Sequence, residues 1–150
     1  LIVRGEGDAG ENGAPRGDLY CDIRIRPHEF FTREGDDVIC EVPISFTQAA
    51  LGAEIEVPTI EGKTKLRIPR GTQSGRAFRL PGLGFPSLSG RARGAQEVRV
   101  TIEVPRSLSS AQEDLLRKFA ETEDNNVTPK RKSFFEKVRK YMENLAGEPR

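Results

Sequence analysis

The chain has 150 residues, of which 35% are hydrophobic and 31% charged, with a formal net charge of +1. This length suits one compact domain or two small ones, and the composition is polar but foldable. The near-neutral charge gives no general attraction to nucleic acid or membranes, and the sequence shows neither an apolar run of the roughly 20 residues needed to span a membrane nor a signal peptide.

The glycine-rich start of the chain resembles a second stretch 77 residues later. Six identities share this one offset: Gly5 with Gly82, Gly7 with Gly84, Gly13 with Gly90, Arg16 with Arg93, Gly17 with Gly94, and Ile25 with Ile102. Each stretch leads into one alternating strand, so we infer an internal repeat. Residues 1 to about 30 would end an earlier copy, residues 32 to 104 would form a complete one, and the natural protein should extend upstream of Leu1. The glycines fit bends between strands better than phosphate cradles.

Short segments between residues 38 and 84 alternate apolar and polar side chains. The apolar positions are Val38, Cys40, Val42, Ile44 and Phe46, followed by Ile55 and Val57, Leu66 and Ile68, and Phe78 and Leu80. A period of two over such short runs predicts half-buried antiparallel strands. The Glu61-Gly62 pair predicts a tight hairpin between two of them.

Chemistry-bearing residues are sparse in this sequence. Cys21 and Cys40 each lie on the apolar side of a strand pattern, which favours buried free thiols in a reducing compartment; a disulfide between paired strands is the alternative. Two cysteines and the lone His28 argue against a metal site. The sequence has no GxSxG or HExxH motif and no clustered acid pair. These features favour a binding or scaffold protein over an enzyme.

Two helices are predicted after Pro105. Ser109 and Ser110 precede Gln112 and Glu113 at the spacing of a capping box, which predicts a helix over residues 110–122. Residues 123–132, which include Pro129, are predicted to be a linker. Ser133, followed by Glu136, is predicted to cap a second helix that Gly147 and Pro149 end. Its apolar stripe consists of Phe134, Phe135, Val138, Tyr141, Met142 and Leu145.

The second helix must dock on something, because a short amphipathic helix is marginal alone in water. It could pack on its own β module, on a partner chain, or on a membrane surface through its basic residues. These are Lys130, Arg131, Lys132, Lys137, Arg139 and Lys140, which could also contact nucleic acid. Glu136 and Glu143 interrupt the basic cluster, so a solvated charged face explains it as well.

The run from Arg4 to Gly84, and the closing SFFEKVRKYMENL, together resemble the C-terminal substrate-binding region of DnaJ, the J-domain cochaperone family. The resemblance covers essentially the whole chain, and the order, length and turn chemistry of its motifs agree. One departure is visible. Gly94-Ala95-Gln96 stands where the family usually has Gly-Asp-Leu, whereas Gly17-Asp18-Leu19 keeps that pattern in the first copy.

The resemblance implies a mainly β fold, with a small antiparallel β-sandwich-like domain followed by two C-terminal α-helices. On this analogy residues 1–31 end a first β domain, 32–105 form the second, 106–122 hold a dimerisation helix, 123–132 are a linker and 133–150 hold the C-terminal amphipathic helix. The family's J-domain, which stimulates a DnaK-type ATPase, and its zinc-binding Cys-rich module have no counterpart in this sequence. We therefore expect a fragment without a cofactor of its own, with zinc in the Cys-rich module of the full-length family protein.

The implied function is a cytoplasmic cochaperone of the stress response that binds unfolded polypeptides as a V-shaped homodimer. Candidate client-binding residues are Val38, Ile44 and Phe46. Candidate dimer residues are Leu115, Leu116, Phe119, Phe134, Phe135, Val138, Tyr141 and Leu145. Ordinary packing within the chain would explain each of them as well. The alternative function is a structural dimerisation module, with client binding confined to a domain upstream.

Overall fold

The computed structural model describes residues 1–90, 92–123 and 128–146. The chain divides into two compact units, Leu1–Val104 and Pro105–Arg150. The first unit is mainly β, and the second contains helices α2 (Ser110–Thr122) and α3 (Pro129–Ala146). Gly147 and Pro149, predicted to end the last helix, lie outside the described residues, as do positions 124–127 of the predicted linker.

The described residues of the first unit form three sheets. In chain order its elements are β1 (Ile2–Val3), a 3-10 turn (Glu11–Gly13), β2 (Leu19–Tyr20), β3 (Phe31–Glu34), β4 (Asp37–Ser45), α1 (Phe46–Leu51), β5 (Ala53–Thr59), β6 (Gly62–Ile68), β7 (Ala77–Leu80) and β8 (Gln96–Glu103). β1 pairs with β2, β5 pairs with β6, and the main sheet has the order β3-β4-β8-β7. The predicted mainly β fold with C-terminal helices is confirmed. Within the main sheet the central pair, β4 and β8, is parallel, and the other pairs are antiparallel.

The core lies between the main sheet and the β5–β6 hairpin. Its buried members are Ile44, Ala49, Val57, Leu66, Ile68, Val98 and Val100. β4 and β8 contribute alternate residues, with charged side chains such as Glu41 and Glu103 exposed between them. On the outer side of the hairpin, Lys63 pairs with Glu56 at 2.9 Å and Lys65 with Glu54 at 3.1 Å. The predicted period of two therefore separates an apolar inner face of the strands from a charged outer face.

Two local details of the strands differ from the prediction. Phe46 does not continue the strand face but starts α1, because the Ser45 hydroxyl accepts a hydrogen bond from the Gln48 N–H (3.1 Å) and the Gln48 side chain accepts one from the Ser45 N–H (3.0 Å). This reciprocal capping box turns the chain into a helix. The hairpin loop consists of Ile60 and Glu61, and Gly62 already begins β6 with a φ of 150°.

The predicted linker is shorter than expected because α3 begins at Pro129, four residues before Ser133. The Thr128 carbonyl accepts the first helical hydrogen bond, from the Lys132 N–H (3.2 Å). Proline is well suited to the first position of a helix, since its fixed φ is helical and no N–H is needed there. Pro129 therefore starts the helix that it was expected to precede, and Ser133 lies inside it.

The internal repeat is confirmed by matching hydrogen bonds in two Gly-rich loops. In the first Gly-rich loop (residues 4–18), the Gly7 N–H donates to the Gly17 carbonyl (2.7 Å) and the Arg16 Nε donates to the Gly7 carbonyl (3.2 Å). In the second Gly-rich loop (residues 81–95), the equivalent distances are 2.8 Å and 3.2 Å. These N–H groups are occupied by main-chain carbonyls, which supports bends rather than phosphate cradles.

The departure from the family pattern has a structural counterpart. In the first Gly-rich loop the Asp18 carboxylate accepts a hydrogen bond from the Gly5 N–H (3.0 Å). At the equivalent position Ala95 is buried, and its N–H donates to the Asp37 carboxylate (2.7 Å). The next residue, Gln96, is also buried and donates its amide to the Pro58 carbonyl (2.7 Å). Ala95 and Gln96 therefore join the start of β8 to the start of β4 and to the β5–β6 hairpin.

The protonation state of Asp37 makes the stability of this corner depend on pH. The hydrogen bond from the Ala95 N–H, and then the one from Arg79, hold the pKa of Asp37 below its ordinary value of 3.8. A lowered pKa in the folded state stabilises the protein above the unfolded pKa, and this contribution disappears as the pH falls through the folded pKa. We therefore expect Asp37→Asn to lower the urea midpoint at neutral pH, with a difference that shrinks below pH 3.8. Asp36→Asn is the control, since Asp36 contacts the second loop through its main-chain carbonyl.

Candidate functional site

Helix α2 exposes an apolar stripe. The Ser109 hydroxyl accepts from the Gln112 N–H (3.3 Å) and the Gln112 side chain accepts from the Ser109 N–H (2.9 Å), which fixes the predicted start of the helix. Arg117 pairs with Glu113 one turn away, on the side opposite the stripe. Leu115, Leu116 and Phe119 all remain exposed, by 66%, 41% and 41%. α2 is thus well formed locally, while its apolar face is largely uncovered.

Helix α3 exposes a second, longer stripe. All its predicted contact residues are exposed: Phe134, Phe135, Val138, Tyr141 and Leu145, together with Met142. Phe134 and Phe135 lie edge to face with their ring centroids 5.5 Å apart. Packing of α3 on its own β module and docking on a partner chain were the main alternatives from the sequence, and both stay predictions.

The two helices carry opposite charge. α2 has three acidic residues and two basic ones, whereas α3 has six basic residues and two acidic ones. Among the described residues, no helix is both long enough and apolar enough to cross a membrane. Opposite charge on two surfaces favours their association, so an acidic helix is one candidate partner for the basic residues of α3.

The three candidate client-binding residues have different environments. Val38 is fully buried and Ile44 is almost so, both in the core of the first unit. A client polypeptide cannot reach these two side chains while the domain is folded. Phe46, at the start of α1, is 44% exposed, so it is the one candidate of the three with a surface position.

An apolar position near Phe46 was missed by sequence reasoning. Leu51 ends α1 and is 70% exposed, so the short helix carries two exposed apolar residues. The signal was present in the sequence, because Ser45-Phe46-Thr47-Gln48 has the spacing of a capping box directly after a strand. Phe46 was assigned to the strand instead of to the start of a helix, because it also continues the alternation of apolar residues along β4.

Cys21 and Cys40 are both free thiols, but only Cys40 is buried as predicted, whereas Cys21 is half-buried. Burial, followed by the nearby Glu41 carboxylate, raises the pKa of the Cys40 thiol. A raised pKa keeps the thiol protonated and unreactive. No cluster of three or more His, Cys, Asp or Glu side chains in the described part of the chain could hold a metal ion.

Comparison with known proteins identifies the two units. The family model of the DnaJ C terminal domain matches residues 1–105, and that of the chaperone protein DnaJ C-terminal region matches residues 111–141. The chain belongs to the DnaJ C-terminal domain family. It is 56% identical to the chaperone protein DnaJ of Ruminiclostridium cellulolyticum and 54% identical to that of Acetivibrio thermocellus, over 139 residues in each case.

These alignments cover 93% of this chain but only 37% and 36% of the two DnaJ relatives. The chaperone protein DnaJ of Halothermothrix orenii, at 52% identity, gives the same coverage, 93% and 37%. The sequence therefore corresponds to a little over a third of a DnaJ protein. Both matched regions coincide with features already described, since the first covers the repeat and the second begins inside α2 and ends inside α3.

Proposed function

We propose that this chain is the client-binding and dimerising part of a DnaJ-type cochaperone, whose full-length form delivers unfolded polypeptides to a DnaK-type ATPase in the cytoplasm. The observation that carries the dimer is the exposed apolar stripe on each of α2 and α3, in the region matched by the DnaJ C-terminal model. The role is binding rather than catalysis, and zinc binding belongs to the Cys-rich module that the resemblance implies elsewhere in the protein.

The dimer is favoured by area as well as by charge. A stable interface buries about 800 Å² on each partner, which a single exposed side chain cannot supply. Two helices with nine exposed large apolar residues between them can approach that area. The contact would be isologous, so each protomer offers the same acidic α2 and basic α3 to its partner. The residues of this interface are the eight predicted ones, with Met142 added by its exposure.

Client binding is proposed for the β unit. An unfolded chain offers apolar side chains in no fixed arrangement, so its receptor needs exposed apolar groups rather than a shaped polar site. Phe46 and Leu51 provide such groups on α1. In a dimer, two weak sites act on one client, and the second contact forms at high effective concentration. The alternative function is a structural dimerisation module, which differs from the proposed one only because it binds no client.

A peptide titration separates the two functions. The probe is a short, fluorescein-labelled, unstructured peptide with a central cluster of Leu, Ile and Phe, titrated with the 150-residue protein at low and high salt. We expect saturable binding that persists at high salt, because apolar contacts are not screened as charge contacts are. Failure to bind at either salt concentration would leave the structural dimerisation module as the function. Binding lost at high salt would indicate a charge contact instead.

A further inference from the structure

The second Gly-rich loop carries an apolar side chain at its apex. Leu88 is 99% exposed, the highest value among the exposed large apolar residues of the described chain. The Ser87 hydroxyl accepts a hydrogen bond from the Ser89 N–H (3.3 Å), and the Ser87 carbonyl accepts one from the Gly90 N–H (3.3 Å). These bonds turn the chain tightly around Leu88 and hold its side chain away from the domain.

The base of this loop is clamped from three directions. The Arg93 guanidinium donates twice to the Gly84 carbonyl, at 3.2 and 3.0 Å, and pairs with Glu61 on the β5–β6 hairpin. The Phe85 N–H donates to the Asp36 carbonyl (2.8 Å), and the Arg33 guanidinium lies 4.5 Å from the centre of the Phe85 ring. Because the base of the loop is already held in place, the loop loses less conformational entropy when its apex binds another molecule.

The first Gly-rich loop repeats the arginine contact of this base, from Arg16 to the Gly7 carbonyl, but it carries acidic residues where the second loop carries apolar ones. At the constant offset of 77 residues, Glu6, Asp8 and Glu11 occupy the positions of Leu83, Phe85 and Leu88. Since Arg16 holds the Gly7 carbonyl as Arg93 holds that of Gly84, the backbone arrangement does not require an apolar apex. Phe85 packs against Arg33 and Leu83 is half-buried, so both have a place in the folded domain. The exposed Leu88 is the apolar residue of this loop that folding does not explain.

We propose that Leu88 is a client contact, which takes an apolar segment of an unfolded polypeptide in addition to the contact at Phe46. This inference rests on the proposed function. A folded partner or a second copy of the chain would need about 800 Å² of surface, and one leucine at a loop apex covers a small part of that. An unfolded polypeptide, in contrast, binds through a few apolar side chains at a time, and several such weak contacts act together.

The test compares Leu88→Ser with Leu88→Met in the peptide titration described above. Serine resembles the two neighbours of Leu88 and removes the apolar contact, so we expect about tenfold weaker binding. Methionine keeps a flexible apolar side chain of similar size, so its affinity should stay within about twofold of the wild type. Both variants should have the wild-type urea midpoint, because the side chain contributes nothing to the core.

The outcomes separate this inference from the proposed function. Wild-type affinity in Leu88→Ser, while the unaltered protein binds the peptide, would overturn the role of Leu88 and leave client binding intact. A wild-type protein that binds no peptide would overturn both. A change in oligomeric mass of Leu88→Ser, measured by sedimentation, would assign the residue to a contact between copies and would also overturn the proposal.

Discussion

Replacing Leu116 and Phe119 together by glutamate is expected to convert the proposed dimer into a folded monomer. Both side chains lie on the apolar stripe of α2 and are about 41% exposed, so a glutamate at either position can reach solvent in the monomer. A dimer would bury the part of four such side chains that is still exposed, and complete burial of one exposed side chain is worth about 1.5–3 kcal/mol. At 41% exposure each side chain then contributes about 0.6–1.2 kcal/mol. The total loss is about 2.5–5 kcal/mol, which weakens the dissociation constant by roughly two to four orders of magnitude.

Sedimentation velocity gives the mass of this double variant, and far-ultraviolet circular dichroism shows whether it remains folded. Arg117→Glu is the matched control, because it adds an acidic residue to the same helix on the side opposite the stripe. The pair that it breaks with Glu113 is exposed and worth less than about 1 kcal/mol. The control should therefore remain dimeric. A double variant with unchanged mass would exclude the α2 stripe from the interface, and a monomeric control would point to a general charge effect.

Periodicity in the sequence was sufficient to find most of the elements and the core. Val57, Leu66 and Ile68 alternate with charged residues, and the structure buries all three. The Ser109–Gln112 capping box predicted the start of α2 at Ser110, and the helical spacing of apolar residues after it predicted the end near Thr122, as the structure has them. Such signals are local, since caps and strand alternation depend on residues within one or two turns of each other. The internal repeat also depends on local contacts, because in each copy an arginine closes its own Gly-rich loop.

The sequence alone did not predict contacts between residues that lie far apart along the chain. β4 and β8 lie side by side in parallel, with Val38 opposite Gln96, although more than fifty residues separate them along the chain. The alternation identified one apolar face of β4 but not what covers it, so it could not tell that Val38 and Ile44 are core residues. Gln96 is a further case, because a glutamine at a core position becomes intelligible only when the Pro58 carbonyl lies beside it.

The most sensitive backbone position of the first unit is Gly94, and Gly94→Ala is expected to destabilise the protein strongly. An added Cβ would lie less than 3.0 Å from main-chain atoms of Asp36, in the turn between β3 and β4. The neighbours are backbone rather than flexible side chains, and hydrogen bonds from Phe85 and Ala95 hold this corner together. Relief would require the loop to move away from the turn. We expect a loss of roughly 3 kcal/mol, measured as a lower urea midpoint at equal protein concentration.

The internal repeat supplies a matched control for this substitution, because Gly17 is the equivalent of Gly94 in the first Gly-rich loop. A Cβ at Gly17 would have its nearest neighbour, the Asp8 carbonyl oxygen, at 3.9 Å, and neither glycine has a positive φ. Gly17→Ala should therefore leave stability within about 1 kcal/mol of the wild type, with a small gain from the stiffer unfolded chain. If the two variants had equal midpoints, the corner formed by Asp36, Gly84 and Gly94 would be able to relax, and the clamp that presents Leu88 would be looser than its hydrogen bonds indicate.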